Sequence, residues 1–245
     1  SIPLAFAQYN LWMTGHDACH NSIFEPKYYR FNQLVAFITL DCTILTQKTW
    51  LIVHHKEHHP YPNSSVDGQR LEGQGMLAEL WNVFLLLLEY LKMDLVDCVK
   101  EPKISKVLTL LLRYAILLFF GWALPVVLFF LVFFAAYFGL LSHSIIPLPN
   151  AVTCRQKQLS NTVDLMPGSW FGEFCTGGLN THAVHHVWPH LPRGLHGWAS
   201  KQLNDLEPEF YRSYDTLGTI KFWWNRKNPR QKDKLPIPSE YYKNK

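Results

Sequence analysis

The chain has 245 residues, 12 histidines and a formal net charge of +4, and 17% of its residues are charged while 15% are aromatic. Because soluble domains carry about 25% charged residues, this composition argues against an ordinary soluble domain. The length suits one unit, and we expect a single membrane domain over residues 1–245. Its N-terminal transmembrane part is expected to be incomplete, because the sequence starts at Ser1 inside an apolar segment.

Three apolar segments come first along the chain. Residues 1–14 are typical of the end of a transmembrane helix. Residues 31–53 are also apolar but contain Asp41 and Lys48, so we expect a segment that lies in the membrane interface or enters and returns. A single crossing is the alternative. Residues 76–95 carry charges around an apolar middle, which fits an interfacial helix or a marginal span.

The longest apolar stretch, residues 107–142, has no charged side chain from Tyr114 onward. A run of about 20 apolar residues spans a bilayer, and this stretch is longer and is interrupted by Gly121 and Pro125. We therefore expect a hairpin of two short transmembrane helices. The lysines of residues 100–106 place the preceding loop on the cytoplasmic side.

Nine histidines form three clusters and one singleton. They read His16-x-x-x-His20, His55-x-x-His58-His59, His182-x-x-His185-His186 and His143. Histidine is the commonest metal ligand among side chains. Nine imidazoles exceed the three or four protein ligands of a zinc ion, so the pattern indicates two metal ions with four or five histidines each. Imidazole suits iron, copper, zinc and nickel, and spacing does not choose among them.

The clusters can share one site only if they lie on one side of the membrane. That requires that residues 31–53 do not cross once and that residues 107–142 cross twice. Three further histidines are expected to lie outside the site. His54 neighbours a predicted ligand but points elsewhere on an α-helix, and His190 and His196 lie among proline and glycine residues.

Four polar residues near the clusters are candidates for orienting the ligands, because metal-bound imidazoles donate their second N–H to a carboxylate or carbonyl. Asp17 lies inside the first cluster and Glu57 inside the second, and Asp164 is a third candidate. Ordinary solvated acids are the alternative. Asn180 either bonds a ligand or shapes the turn before the third cluster.

These motifs resemble those of one known family. GGLNTHAVHHVWPHLPR at residues 177–193 is similar to the third histidine box of acyl desaturases, and HDACH at residues 16–20 resembles their HDxxH first box. From Gly15 to about Pro192 the chain resembles the membrane fatty acid desaturase superfamily. Some members carry Gln where this chain has His182. The resemblance implies an all-α integral membrane helical bundle with interfacial helices and a cytoplasmic cap that carries a di-iron site.

The resemblance also implies a reaction and a ligand set. Two iron ions would activate dioxygen as co-substrate, and a fatty acyl lipid, acyl-CoA or acyl-carrier substrate would gain a cis double bond. The implied ligands are His16, His20, His55, His58, His59, His143, His182, His185 and His186. We expect a separate electron donor of the cytochrome or ferredoxin type.

Two other functions stay open at this point. A lipid hydroxylase or a carotenoid ketolase would use the same metal site, because these reactions begin with the same hydrogen abstraction. A non-catalytic protein that binds or transports metal would need polar groups within its membrane spans, and residues 107–142 offer few.

The five cysteines include no C-x-x-C pair, which argues against a disulfide framework and indicates a reducing compartment. The basic residues at 221–234 fit contact with anionic membrane lipid or an acidic electron donor, and we expect no nucleic-acid partner. The expected location is a multi-pass membrane protein of the endoplasmic reticulum or a bacterial inner membrane, with its active site on the cytoplasmic face.

Overall fold

Helices make up most of the part of the chain that the structure describes. This computed structural model describes residues 2–41, 46–62, 64, 66–67, 69, 76–119 and 150–225. The helices are α1 (Ile2–Cys19), α2 (Tyr29–Ala36), α3 (Gln47–Trp50), α4 (Met76–Lys100), α5 (Ile104–Phe119), α6 (Cys154–Asn161), α7 (Trp170–Thr176), α8 (His182–Val187), α9 (His196–Leu206) and α10 (Thr216–Asn225), with short 3-10 turns at Pro26–Tyr28 and Arg193–Leu195. Strands β1 (Asp164–Leu165) and β2 (Ser213–Tyr214) pair in parallel. The all-α part of the predicted fold is confirmed.

Two helices continue in a wider, π-helical form. α2 runs on as Phe37–Asp41, and α3 runs on as Leu51–His58. In a π-helix each backbone N–H bonds the carbonyl five residues earlier. The N–H of His59 accordingly donates to the carbonyl of His54 at 2.9 Å. This wider turn places residues i and i+5 on one face, which decides which histidines of the second cluster meet.

The first core lies between α1, α2 and the π-helical segments. Its buried residues include Tyr9, Met13, Ala36, Leu40 and Trp50. At Gly15 the packing is so close that an added Cβ would lie 2.6 Å from Leu40 Cγ. Because Gly15 directly precedes His16, this contact fixes the end of α1 from which the first histidine cluster projects.

A buried ion pair connects α4 and α5 to the start of α3. Arg113 and Asp94 form a 2.8 Å salt bridge, and each side chain is 1% exposed. Asp94 also accepts hydrogen bonds from the backbone N–H of Thr46 at 2.8 Å and from its hydroxyl at 2.6 Å, and Arg113 donates to the Asp41 carbonyl at 3.0 Å. Because buried charges need complete pairing, this network fixes the start of the segment that carries the second cluster.

A second core carries the third cluster. α8 packs against α6 and α9. The buried side chains between them are Leu159, Ala183, Val184, Ala199 and Leu203. All residues from His182 to His186 are buried, so the third cluster is held inside a packed framework.

Among the residues that the structure describes, no helix combines the length and the apolar character that a bilayer crossing requires. Residues 2–14 belong to α1, and residues 76–95 belong to α4. Residues 31–53 include α3 and its continuation together with most of α2. Of the hairpin predicted at 107–142, residues 120–142 lie outside the described residues.

Candidate metal centre

Eight histidines converge in two groups. Within each group, one side-chain nitrogen of every member lies within 4.8 Å of those of the others. The larger group contains His16, His20, His54, His59 and His185, and the smaller group contains His58, His182 and His186. All three clusters of the sequence therefore meet at one place.

The larger group is centred on His54. Its Nε2 atom lies 2.9 Å from Nε2 of His16, 3.1 Å from that of His20 and 3.0 Å from that of His59. The Nε2 atoms of His59 and His185 are 3.1 Å apart. Two nitrogens each about 2.1 Å from one ion and at right angles lie about 3.0 Å apart. The spacings thus match imidazoles arranged around a single metal ion.

The smaller group is built around His186. Its Nε2 atom lies 3.1 Å from Nε2 of His58 and 3.1 Å from Nε2 of His182. The rings of His59 and His186 stack with centroids 4.4 Å apart, so the two groups adjoin. Together they can hold two neighbouring metal ions.

His54 was predicted to lie outside the site, whereas the structure places it in the larger histidine group. An α-helical turn would direct His54 away from His59, but the π-helical turn brings its Nε2 atom into the larger group. Neither group contains His55, whose ring stacks on that of His20 with centroids 4.0 Å apart. The His55 Nε2 atom is buried and has no hydrogen-bond partner in the described part of the chain. The sequence HHKEHH fits either His54 or His55 in the site, so spacing alone did not distinguish these two possibilities.

Two carboxylates orient histidine rings of the two groups. His16 Nδ1 donates to Asp17 at 2.9 Å, and His58 Nδ1 donates to Asp67 at 3.0 Å. Burial raises the pKa of Asp17, but the hydrogen bond from His16 and the charge of Arg193 outweigh burial and lower it, so the carboxylate is ionised. Asp17 was predicted in this role. Asp67 was missed, because the segment after the second cluster was interpreted only as a loop.

Two glutamines orient further rings. His54 Nδ1 donates to Gln69 at 2.8 Å, and His186 Nδ1 donates to Gln158 at 2.8 Å. Gln158 also donates to the His59 carbonyl at 2.5 Å, so it contacts two clusters. A proton on Nδ1 leaves the Nε2 lone pair free for a metal. Neither glutamine was predicted, because nothing in the sequence distinguishes these two residues from glutamines on the surface.

Asp164 stabilises the packed framework that carries the third cluster. It accepts hydrogen bonds from the Ala183 N–H at 2.7 Å and from the hydroxyls of Ser200 and Tyr211, each at 2.8 Å. Burial raises the pKa of Asp164 to about 6, against the effect of these bonds. The Asp164 carboxyl group therefore stabilises the first turn of α8 and does not orient a histidine ring of the two groups.

The remaining predicted orienting residues have other positions. The Asn180 amide donates to the Met166 carbonyl at 3.2 Å and accepts from the Thr176 hydroxyl at 3.1 Å. Asn180 thus shapes the turn before α8, which is one of its two predicted roles. Glu57 is half-buried on the π-helical segment, and none of the four ring-orienting hydrogen bonds involves it.

Two histidines that the sequence analysis placed outside the site lie close to it. His190 donates through Nδ1 to the carbonyl of His20, and His196 Nδ1 pairs with the Thr181 hydroxyl at 2.9 Å. Neither belongs to the two groups, so both contribute to packing around the site. His143 was predicted as a ligand and lies outside the described residues.

The electrostatics of the site favour neutral imidazole. Burial lowers the pKa well below its usual value for five histidines of the two groups, and neighbouring imidazoles lower it further: His20, His54, His59, His182 and His185. Neutral imidazole is the form that binds metal. The two groups contain no carboxylate, and a set of nitrogen donors suits iron, copper, zinc or nickel rather than magnesium or calcium.

Comparison with known proteins identifies a family. The sequence model of the family described as "Fatty acid desaturase" matches residues 2–218. All eight histidines of the two groups lie within that range. No curated protein matches the chain, and no solved structure does.

Proposed function

Because the chain belongs to the fatty acid desaturase family, we propose that it is a di-iron fatty acyl desaturase. In the overall reaction, a saturated two-carbon unit of the acyl chain and one dioxygen molecule take up two electrons and two protons. The products are a cis double bond and two water molecules. The observation that carries the proposal is the convergence of three histidine clusters into two adjacent groups of imidazoles.

The two groups supply the proposed iron ligands. One ion would be held by the larger group and the other by the smaller group, and His143 stays a predicted additional ligand. The chemistry supplied by two iron ions, when bound, is the reductive activation of dioxygen and the removal of hydrogen from an unactivated carbon. Spacings of 2.9 to 3.1 Å between Nε2 atoms support this assignment.

The surrounding side chains keep the proposed site arranged and dry. Asp17 and Gln69 hold Nδ1 protons, so the Nε2 atoms need no rotation to meet a metal. Trp50 stacks on His54 with centroids 4.3 Å apart, and Trp12 packs edge-on against Trp50 at 5.2 Å. These indoles form an apolar wall that excludes water from one side of the larger group.

The proposed substrate is a fatty acyl chain, carried as a lipid, a CoA ester or a carrier conjugate, and the proposed donor is a separate cytochrome or ferredoxin. We further propose a membrane location with the metal centre on the cytoplasmic face. Exposed large apolar side chains support it, because they mark surfaces that contact lipid or another protein. Leu118 and Phe119 of α5 are 80% and 77% exposed, and Trp170 of α7 is 76% exposed.

The reaction is tested by expressing the chain in a host of known lipid composition and analysing its fatty acids by mass spectrometry. We expect new cis-unsaturated acids, which the His185→Ala variant at equal protein level will not produce. Hydroxylated or keto products without new double bonds would contradict desaturation and favour the hydroxylase or ketolase alternative.

The metal content tests the cofactor separately. We expect about two iron ions per chain in protein purified without chelators, because the two groups offer two sets of nitrogen donors. Stoichiometric zinc in protein isolated from cells grown with ample iron would contradict the di-iron assignment.

A further inference from the structure

Arg193 reaches from the turn after the third cluster to the end of α1. Its guanidinium donates to Asp17 Oδ2 and, at 3.3 Å, to the Met13 carbonyl. The other carboxylate oxygen, Oδ1, accepts from His16 Nδ1 at 2.9 Å. Arg193, Asp17 and His16 therefore form a continuous chain of hydrogen bonds that ends in the larger histidine group.

The turn that precedes the third cluster leaves room for Arg193. Gly178 has a φ of +88°, and an added Cβ there would collide with the Arg193 side chain. Side chains other than glycine rarely adopt this backbone conformation. The same glycine thus permits the turn and lets the arginine stem lie across it toward Asp17.

The ion pair is sheltered from solvent. The side chains of Asp17 and Arg193 are 15% and 28% exposed. Fully exposed pairs contribute little because water screens them and their side chains are mobile. Here each carboxylate oxygen has its own charged or ring N–H donor, which gives the carboxylate one preferred orientation.

We propose that Arg193 is a positioning residue for the metal centre, which fixes the Asp17 carboxylate and thereby the rotation of the His16 ring. This inference rests on the proposed function, because it requires metal at the histidine groups. Without Arg193 the carboxylate would be held mainly by His16 and could turn about its own side-chain bond. The His16 Nε2 atom would then point at the metal less consistently.

The test measures Fe²⁺ affinity of the full chain without oxygen, by competition with a chelator. Loss of an orienting partner weakens metal binding by about 10–100-fold, and we expect Asp17→Asn to fall in this range. Arg193→Gln should weaken binding by a smaller factor. The double variant should bind like Asp17→Asn alone, because Arg193 acts only through Asp17. The exposed Arg30→Gln variant is the matched control and should bind like wild type.

A conservative variant and a spectrum add independent readouts. Arg193→Lys should recover part of the affinity, because lysine keeps the charge but lacks the planar fork of donors. The visible spectrum of bound Co²⁺ reports ligand arrangement. We expect Arg193→Gln and Asp17→Asn to alter this spectrum in the same way.

A purely structural role for Arg193 gives a different pattern. The two single-variant factors would multiply in the double variant, or Arg193→Gln would lower the thermal midpoint while leaving affinity and Co²⁺ spectrum unchanged. Either result would overturn the positioning role. A wild-type chain that binds no Fe²⁺ would contradict the proposed function itself, so the two failures are distinguishable.

Discussion

The Nε2 atoms of His54 and His59 lie 3.0 Å apart. In an α-helix, two residues five positions apart would not lie on the same face. A π-helical hydrogen bond from the His59 N–H to the His54 carbonyl, at 2.9 Å, brings them onto one face. Gln69 holds the other ring nitrogen of His54 at 2.8 Å. The second cluster therefore places His54 in the larger histidine group, whereas the HxxHH spacing favours His55.

This arrangement predicts different effects of replacing the two adjacent histidines. His54→Ala should lower metal affinity by more than the about 10–100-fold that follows loss of an orienting partner, because it removes a nitrogen from the larger group. His55→Ala should retain metal, because His55 belongs to neither group and contacts the rings of His20, His54 and His59 from outside. The measurement is iron content and Fe²⁺ affinity of each purified variant.

His59→Ala is the matched reference for this pair, since His59 belongs to the larger group. We expect His54→Ala to resemble His59→Ala and not His55→Ala. Loss of metal in His55→Ala with full binding in His54→Ala would show that the ligand is His55, as the spacing of the cluster indicates.

Asp67 yields a second prediction. Its Oδ1 atom accepts from His58 Nδ1 at 3.0 Å and from the Gln69 N–H at 2.8 Å. Asp67→Asn removes the charge that holds the His58 ring, so we expect metal affinity to fall by about 10–100-fold. Competition titration measures it, with the exposed Asp205→Asn as control. Equal affinities in the two variants would exclude the orienting role of Asp67.

The buried pair of Asp94 and Arg113 yields a prediction on stability. Removing one partner of a buried pair leaves the other charge uncompensated and costs about 3–5 kcal/mol. We expect Asp94→Asn to lower the free energy of unfolding by this amount in a denaturant titration. Glu89→Gln is the control, because the Glu89–Lys92 pair is exposed and such pairs contribute about 0–1 kcal/mol.

Replacing both charged residues with apolar ones separates the effect of burial on stability from the effect of charge. The double variant Asp94→Leu/Arg113→Met should recover part of the lost stability, because two apolar side chains leave no uncompensated charge. The recovery should be incomplete, because the Thr46 N–H and hydroxyl lose their acceptor. A single Asp94→Asn variant as stable as Glu89→Gln would indicate that the pair is hydrated in solution.

The first and third clusters were predictable because their members follow α-helical spacing. His16 and His20, and likewise His182 and His186, are four residues apart and share a helix face. The second cluster was only partly predictable. A π-helical turn leaves no mark on the spacing of histidines, so the choice between His54 and its neighbour needed the backbone.

The partners of the ligands were predictable only where they adjoin a cluster in the sequence. Asp17 lies next to His16, and its role followed from that position. Gln158 lies in α6 and reaches His186 through the packing of α6 on α8. Such a contact depends on how two helices pack, and the identity of a glutamine does not reveal it.

Asp164 offers a test of the framework behind the third cluster. Asp164→Ala leaves the buried Ala183 N–H and the hydroxyls of Ser200 and Tyr211 without their acceptor. Each buried polar group without a partner costs about 1–3 kcal/mol, so we expect a large loss of unfolding free energy. Asp164→Asn retains one acceptor oxygen and should lose less. Equal losses in the two variants would contradict this account.

Metal removal should destabilise the folded chain. The histidine groups exist only in the folded state, so a bound ion stabilises folding by about 2.7 kcal/mol at a hundredfold excess over its dissociation constant. We expect a chelator to lower the thermal midpoint of wild-type protein and added Fe²⁺ to restore it, measured by intrinsic fluorescence. Mg²⁺ should not restore it, because magnesium prefers oxygen ligands. The His185→Ala/His186→Ala variant should respond weakly to chelator and Fe²⁺, because it lacks one nitrogen from each group. An equal response in this variant would mean that the stabilising ion binds elsewhere.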